Sequence, residues 1–426
     1  MNPIYLRMSE LDFKVTKKTY PRTNNESVLE FVFEPDPNLF MRKNNIQIFG
    51  TVEMPETCAP DVGFAAKLFS MMSVEVNSQL VSNNRNKLVQ YTLVVNWYPF
   101  KAKIFLRNEY FLTDYIYKIG NYDTDCCKTT FATEGYADFW NLDAAQLFSE
   151  VGEDVVKRRR EVGFHDAVNK KYIFEFCVIP NSGFLSNNDL LLKDVELKLC
   201  LDRADPQQAI MCKAEDWAAV GDLKFDIKDC FAVTDYVSSP DLRSYYESID
   251  YSPLKYDYEE CEVIVKSIPQ GELTIRCDNL RGGNVPLQIF VGFIESEGLN
   301  GKHTHASTRF AQHNVQYMNI SVNGNSVNGY PIRTKHGIVT QPLQKFLACT
   351  NRVCNVNAGE FLSPNGFLFN YLWSHKFEAE DAAVGWIGVD CKLKEAFNES
   401  MSMVVWIINS ASIAIDKYHQ IEKITY

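Results

Sequence analysis

LQIFVGFIESEGLNGKHTHASTRFAQHNVQYMNISVNGNSVNGYPIR, residues 287–333, holds two different strand signals and a turn. Leu287 to Ile294 is a short, almost unbroken apolar run, long enough for one buried strand and too short for a typical helix. Val315 to Val322 alternates apolar and polar residues with period two, the signature of a half-buried strand. Asn323-Gly324 follows, a dipeptide whose easy access to positive φ suits a tight hairpin. The polar stretch between the strands, rich in Gly, Asn and His, reads as loop.

Similar units occur elsewhere. Ile46-Gln47-Ile48-Phe49 echoes Leu287-Gln288-Ile289-Phe290, and Val74-Glu75-Val76-Asn77 echoes Ile320-Ser321-Val322-Asn323. Phe176 to Ser182 similarly resembles Val404 to Ser410. Three echoes in one order predict two similarly built β domains. Further strand-like runs are Ser27 to Asp36, Asn45 to Glu53, Lys171 to Pro180, Leu190 to Arg203, Leu223 to Tyr236, Glu260 to Pro269 and the closing SMSMVVWIINSASIAID. Residues 107–156 read as an insertion with the best helical signal, and 239–258 as a connector. The expected division is 1–238, then the connector, then 259–426.

The 426 residues allow two or three domains. Hydrophobic residues make up 46%, and the 13% aromatic share leans towards strands. No run approaches the roughly 18 apolar residues of a spanning helix. The N-terminus has no apolar signal-peptide core, so an intracellular product is expected. Twelve scattered cysteines do not make a disulfide scaffold. Neither Cys126-Cys127 nor Cys349-Cys354 has zinc-site spacing, and Cys177 and Cys200 read as packed thiols.

A net charge of −11 argues against a protein whose main work is gripping phosphate backbones. The basic cluster Lys157 to Arg160 is offset by Glu153, Asp154 and Glu161 and reads as a solvated loop. An import signal or a nucleic-acid-facing patch is the sharper alternative.

Many short strands with long loops suggest a sandwich or jelly roll, in which two antiparallel sheets bury their facing sides. Several passages then resemble the double jelly-roll, hexon-like major capsid proteins of the Polinton/Maverick (adintovirus-like) family. LEFVFEPDPNLFMRKNNIQIFGTVEM and AKLFSMMSVEVNSQLVS look like that family's first strands. VKRRREVGF with KYIFEFCVIPNSGFLSNNDLLLKDVELKLCLDR resembles its mid-chain block, taken to close the first roll, and the segment from Gln288 resembles the block opening the second. MVVWIINSASIAIDKYHQI is similar to its last strand.

The resemblance implies an all-β chain of two tandem eight-stranded jelly rolls with long inter-strand loops and a few short helices. It implies a homotrimer forming a pseudo-hexagonal capsomer, and capsomers tiling an icosahedral virus-like shell around a double-stranded DNA genome. The implied partners are other copies of the chain, penton or minor capsid proteins and, weakly at the inner surface, DNA. The implied setting is a virion capsid made in the cytoplasm and assembled in the nucleus.

Chemistry competes poorly with that reading. A cupin-like metal enzyme is suggested by His303-Thr304-His305, but no acid follows and His313 is badly spaced. Gly298 to His303 lacks the spacing of a phosphate loop, and Gly324 to Asn328 lacks the final glycine of a nucleophile elbow. A carbohydrate- or receptor-binding β-sandwich would use loop aromatics such as Tyr136, Trp140 and Trp373. The sequons at Asn25, Asn319 and Asn398 are expected to be unused. No catalytic, cofactor-binding or metal-ligating residue is assigned, and no enzyme is expected.

Overall fold

The computed structural model describes residues 13–60, 64–84, 160, 163–180, 183–187, 189–212, 225–238, 247, 253–300, 310, 315–334, 340–349, 372–378 and 384–424. The 107–156 insertion, the helix candidate within it, and His303, His305, His313, Tyr136 and Trp140 fall outside these residues.

Period-two patterns set the strands of the first roll: β1 (Phe13–Thr19), β2 (Val28–Phe33), β3 (Gln47–Pro55), β4 (Phe69–Val76), β5 (Gln79–Asn84), β6 (Lys171–Val178), β7 (Leu197–Arg203) and β8 (Ile227–Ser238). In β3, Ile48, Gly50, Val52 and Met54 are buried while the residues between them are half-buried. In β2 and β7 the same alternation sends Leu29, Phe31, Phe33, Leu197, Leu199 and Leu201 into the core. The second roll repeats the plan with β9 (Leu254–Ile268), β10 (Thr274–Asn284), β11 (Gln288–Glu295), β12 (Val315–Val322), β13 (Asn325–Ser326), β14 (Trp373–Lys376), β15 (Val384–Leu393) and β16 (Met401–Ile415).

Pairing defines the architecture. One sheet of the first roll runs β1-β8-β3-β6 and the other β2-β7-β4-β5. In the second roll the orders are β9-β16-β11-β14 and β10-β15-β12-β13. Adding eight to each strand of the first roll gives its counterpart in the second. Every pairing is antiparallel, and the orders 1-8-3-6 and 2-7-4-5 are those of a jelly roll. Short strands decorate this frame, among them Phe164–Asp166 beside β6 and Ile421–Ile424 beside β16.

Two of the three echoes fall on counterpart strands. Ile48-Phe49 and Ile289-Phe290 lie on β3 and β11, and Val74 to Asn77 and Ile320 to Asn323 end β4 and β12. Both of these hairpins turn through two successive positive φ values, at Asn77 (46°) and Ser78 (65°) and at Asn323 (52°) and Gly324 (80°). The third echo does not hold: Phe176 to Val178 lies on β6, whereas Val404 to Asn409 lies on β16, the counterpart of β8. Any two buried strands share such apolar runs, so similarity alone paired the wrong ones.

Other differences have local causes. β1 sits in what reads as a polar start, because FKVTKKT is an edge strand that needs few apolar residues. β8, not the Leu190–Arg203 block, closes the first roll. That block splits into Leu190–Leu191 and β7, with Asp194 at φ 61° in the break. The connector expected over 239–258 ends early, since Leu254 to Tyr258 already form ladder pairs with β16.

Candidate assembly surfaces

The most elaborate contact among the described residues is the junction between the two rolls. A four-residue helical turn, α1 (Gly183–Ser186), leaves the first roll after β6 and lies against β9 of the second. A Cβ on Gly183 would coincide with the carbonyl of Glu259, so only glycine fits there. Beside it Phe184, fully buried, meets the rings of Tyr256 and Tyr258 edge-on at 6.0 and 5.6 Å.

Both tyrosines are tied across the junction by their hydroxyls. Tyr256 donates to the carbonyl of Leu190 at 3.0 Å and Tyr258 to that of Val81 at 2.9 Å. The Asn187 amide donates to the carbonyl of Asp257. At another point the Asn77 side chain donates to the carbonyl of His419 at 3.0 Å. Leu254, Tyr256 and Tyr258 are buried and alternate with more exposed residues. That period-two signal is present in a stretch that reads as connector, where the Tyr-Asp-Tyr-Glu mixture masks it.

Lys43 anchors α1 from beneath. Its Nζ, with the side chain essentially inaccessible, donates to the carbonyl of Phe184 at 2.6 Å. It also lies over the Phe184 ring, 4.9 Å from the centroid. Burial lowers its pKa to about 8, against the opposing pull of Asp189.

The two rolls differ in how their β3 and β11 sheets are dressed. The outer face of β3 is half-buried and charged: Glu53 bonds Lys228 at 2.9 Å and Lys171 at 3.1 Å, which holds its carboxyl below the usual range. Next to it Phe49 stacks on Phe231, with Lys18 over the Phe231 ring. β11 is buried on both faces. On one, Phe290 meets Phe346 of α2 (Thr340–Cys349), and Gly292 lies under Leu372 and Phe310. On the other, Phe293 meets Trp373 at 5.5 Å.

Trp373 is thus a core residue, 0% exposed, and not a loop aromatic available to a sugar. β14 reads too short to be recognised as a strand, which is why the sequence placed Trp373 in a loop. Arg160, the one described member of the basic cluster, donates to the carbonyl of Glu56. Burial pushes the thiols of Cys200 and Cys349 up to about 11 and that of Cys230 up to about 12, away from reactive thiolates. Among the described residues no group of three or more His, Cys, Asp or Glu side chains is placed to hold a metal ion, and no helix is long and apolar enough to cross a membrane. Large apolar side chains stand in solvent at a few places instead, notably Phe13, Val384 and Trp386.

The fold is that of tandem jelly rolls, and known structures share it over nearly the whole chain. A chain from the Sputnik virophage matches with a TM-score of 0.60 at 9% identity, covering 99% of this chain and 90% of that one. The PBCV-1 virus capsid matches with a TM-score of 0.58 at 10% identity, covering 99% and 98%. The mavirus major capsid protein matches with a TM-score of 0.52 at 9% identity, covering 99% and 91%. No protein-family model and no curated protein matches by sequence.

Proposed function

We propose that this chain is a major capsid protein of the Polinton/Maverick type. Three copies would form a pseudo-hexagonal capsomer, and capsomers would tile an icosahedral shell around double-stranded DNA. The observation that carries the reading is the pair of rolls with matching strand orders, joined by a built junction. Two such units per chain and a three-fold axis approximate six-fold symmetry, so one product can occupy hexagonal positions. Likeness in fold to capsid proteins over 99% of the chain supports it.

On this reading the assembly units are residues 1–238 and the part from Leu254 onward. The partners are further copies, penton or minor capsid proteins and, weakly, packaged DNA. Assembly takes place in the nucleus after synthesis in the cytoplasm, and the work of the protein is structural, not catalytic. Light scattering across a concentration series, with negative-stain microscopy, tests the proposal. A stable trimer with hexagonal outline is expected; a monomer at every concentration overturns it.

A further inference from the structure

Cys58 and Cys212, distant in sequence, stand directly opposite each other in a short antiparallel ladder. Cys58–Pro60 pairs with Ile210–Cys212, with Ile210 against Pro60, Met211 against Ala59 and Cys212 against Cys58. Among the described residues this is the one place where cysteine faces cysteine across a ladder. Cys177, Cys200, Cys261, Cys277 and Cys391 each face residues of other types.

Pro60 decides which kind of pair the two cysteines make. Antiparallel ladders alternate between pairs that exchange both N–H···O bonds and pairs that exchange none. Proline has no N–H, so Ile210 and Pro60 cannot exchange two bonds. Theirs is a non-hydrogen-bonded pair, Met211 with Ala59 is the hydrogen-bonded one, and Cys212 with Cys58 is again non-hydrogen-bonded. At such positions the Cα atoms of a ladder lie about 4.5 Å apart, and directly opposite residues share one face of the sheet. A disulfide needs Cα atoms roughly 4.4–6.8 Å apart, so the backbone already has the spacing of the bond.

The position in the fold gives such a bond a consequence. Cys58–Pro60 follows β3 after the turn at Glu56 and Thr57, and Ile210–Cys212 follows β7 after a single 3-10 turn, Pro206–Gln208. β3 and β7 belong to opposite sheets of the first roll. The ladder therefore ties together the segments that leave the two sheets, and the Ala204 N–H, donating to the Leu68 carbonyl at 2.9 Å, ties the same region once more. Cys58 is 0% exposed, so reagents in solvent reach its thiol poorly, whereas the cysteine across the ladder is placed within bonding range by the backbone itself.

We propose that Cys58 and Cys212 form a redox pair: two thiols under reducing conditions and a cross-strand disulfide under oxidising ones, stapling the two sheets of the first roll. The oxidant is a small-molecule disulfide such as oxidised glutathione. One cysteine thiolate attacks it, forming a mixed disulfide and releasing one glutathione thiolate, and the second cysteine then displaces the other glutathione. Two protein thiols thus lose two electrons and two protons, the S–S bond of the oxidant breaks, and two glutathione thiols leave. A reducing cytosol keeps the pair open and an oxidising exterior closes it. The proposal is independent of the capsid reading, and either can fail alone.

The test uses the full chain as wild type, Cys58→Ser and Cys212→Ser. Each is exposed to oxidised glutathione, once in native buffer and once during refolding from denaturant, so that burial of Cys58 does not limit the reaction. Remaining thiols are blocked with N-ethylmaleimide and the protein is digested for mass spectrometry. In wild type the peptides carrying Cys58 and Cys212 are expected to be joined, lighter by the hydrogens lost. The oxidised protein is expected to melt about 5–10 °C above the reduced one, since the bond closes a loop of well over about 100 residues. Dithiothreitol should reverse the shift, and neither serine variant should show it. Maleimide on both cysteines in both samples overturns the proposal, as does either cysteine found only as a mixed disulfide or joined to a different cysteine. A melting shift of the same size in the serine variants, or a joined peptide with no shift, overturns the staple.

Discussion

At the residue scale, Lys43 is a lysine buried almost completely, 1% exposed. Its ammonium is removed from water and satisfied by the Phe184 carbonyl, an aromatic face and the field of Asp189. Its pKa is about 8 in the folded chain and in the ordinary lysine range when unfolded, so the unfolded chain binds more protons between those limits. Folding stability from this group must therefore rise with pH across that window, and below about pH 8 the full cost of the buried charge is present. Relative to Lys43→Met, wild type is expected to gain on the order of 3 kcal/mol between pH 7.5 and 10, read from denaturant melts. A flat difference between the two proteins would mean that Lys43 keeps the ordinary lysine pKa in the folded chain.

At the element scale, β3 and β11 show how one topology accepts two kinds of strand. QIFGTVE alternates because only one face of β3 is buried, and LQIFVGFI does not because α2, Phe310 and Leu372 cover the second face of β11. Thr51 and Gly292 are counterparts at the centre of these strands. A Cβ on Gly292 would lie 2.6 Å from Leu372 and 2.8 Å from Phe310. Gly292→Thr is expected to cost about 1–3 kcal/mol by overpacking. Thr51→Gly should cost only about 1 kcal/mol, chiefly through backbone entropy. Equal losses in chemical denaturation would contradict the difference in dressing. Much of this was legible beforehand, since an unbroken apolar run and a strict alternation report two-sided and one-sided burial. β1 and the first half of β9 were not legible, because edge strands tolerate Lys, Asp and Glu wherever one side of the backbone stays open.

At the scale of the whole molecule, the rolls are coupled through a small, closely fitted contact around α1. Phe184→Ala removes a ring packed against Tyr256 and Tyr258, a change typically worth about 3–5 kcal/mol in a core. Calorimetry of this variant is expected to resolve two transitions, one per roll, where wild type shows one. Gly183→Ala should have the same effect, because its Cβ has no space beside Glu259. One unsplit transition in both variants would place the coupling elsewhere.

The sequence by itself determined the class and the count: period-two strands, Asn-Gly and Asn-Ser turns, and two halves built alike. These are local signals, carried by neighbours along the chain and by the chemistry of each turn. Only the tertiary structure decided which strands are counterparts, that Trp373 is core, and that Tyr256, Tyr258, Gly183 and Lys43 meet at one junction. Those facts depend on which residues come together across 66 or more positions, the spacing of Leu190 and Tyr256, and no local pattern encodes such a distance.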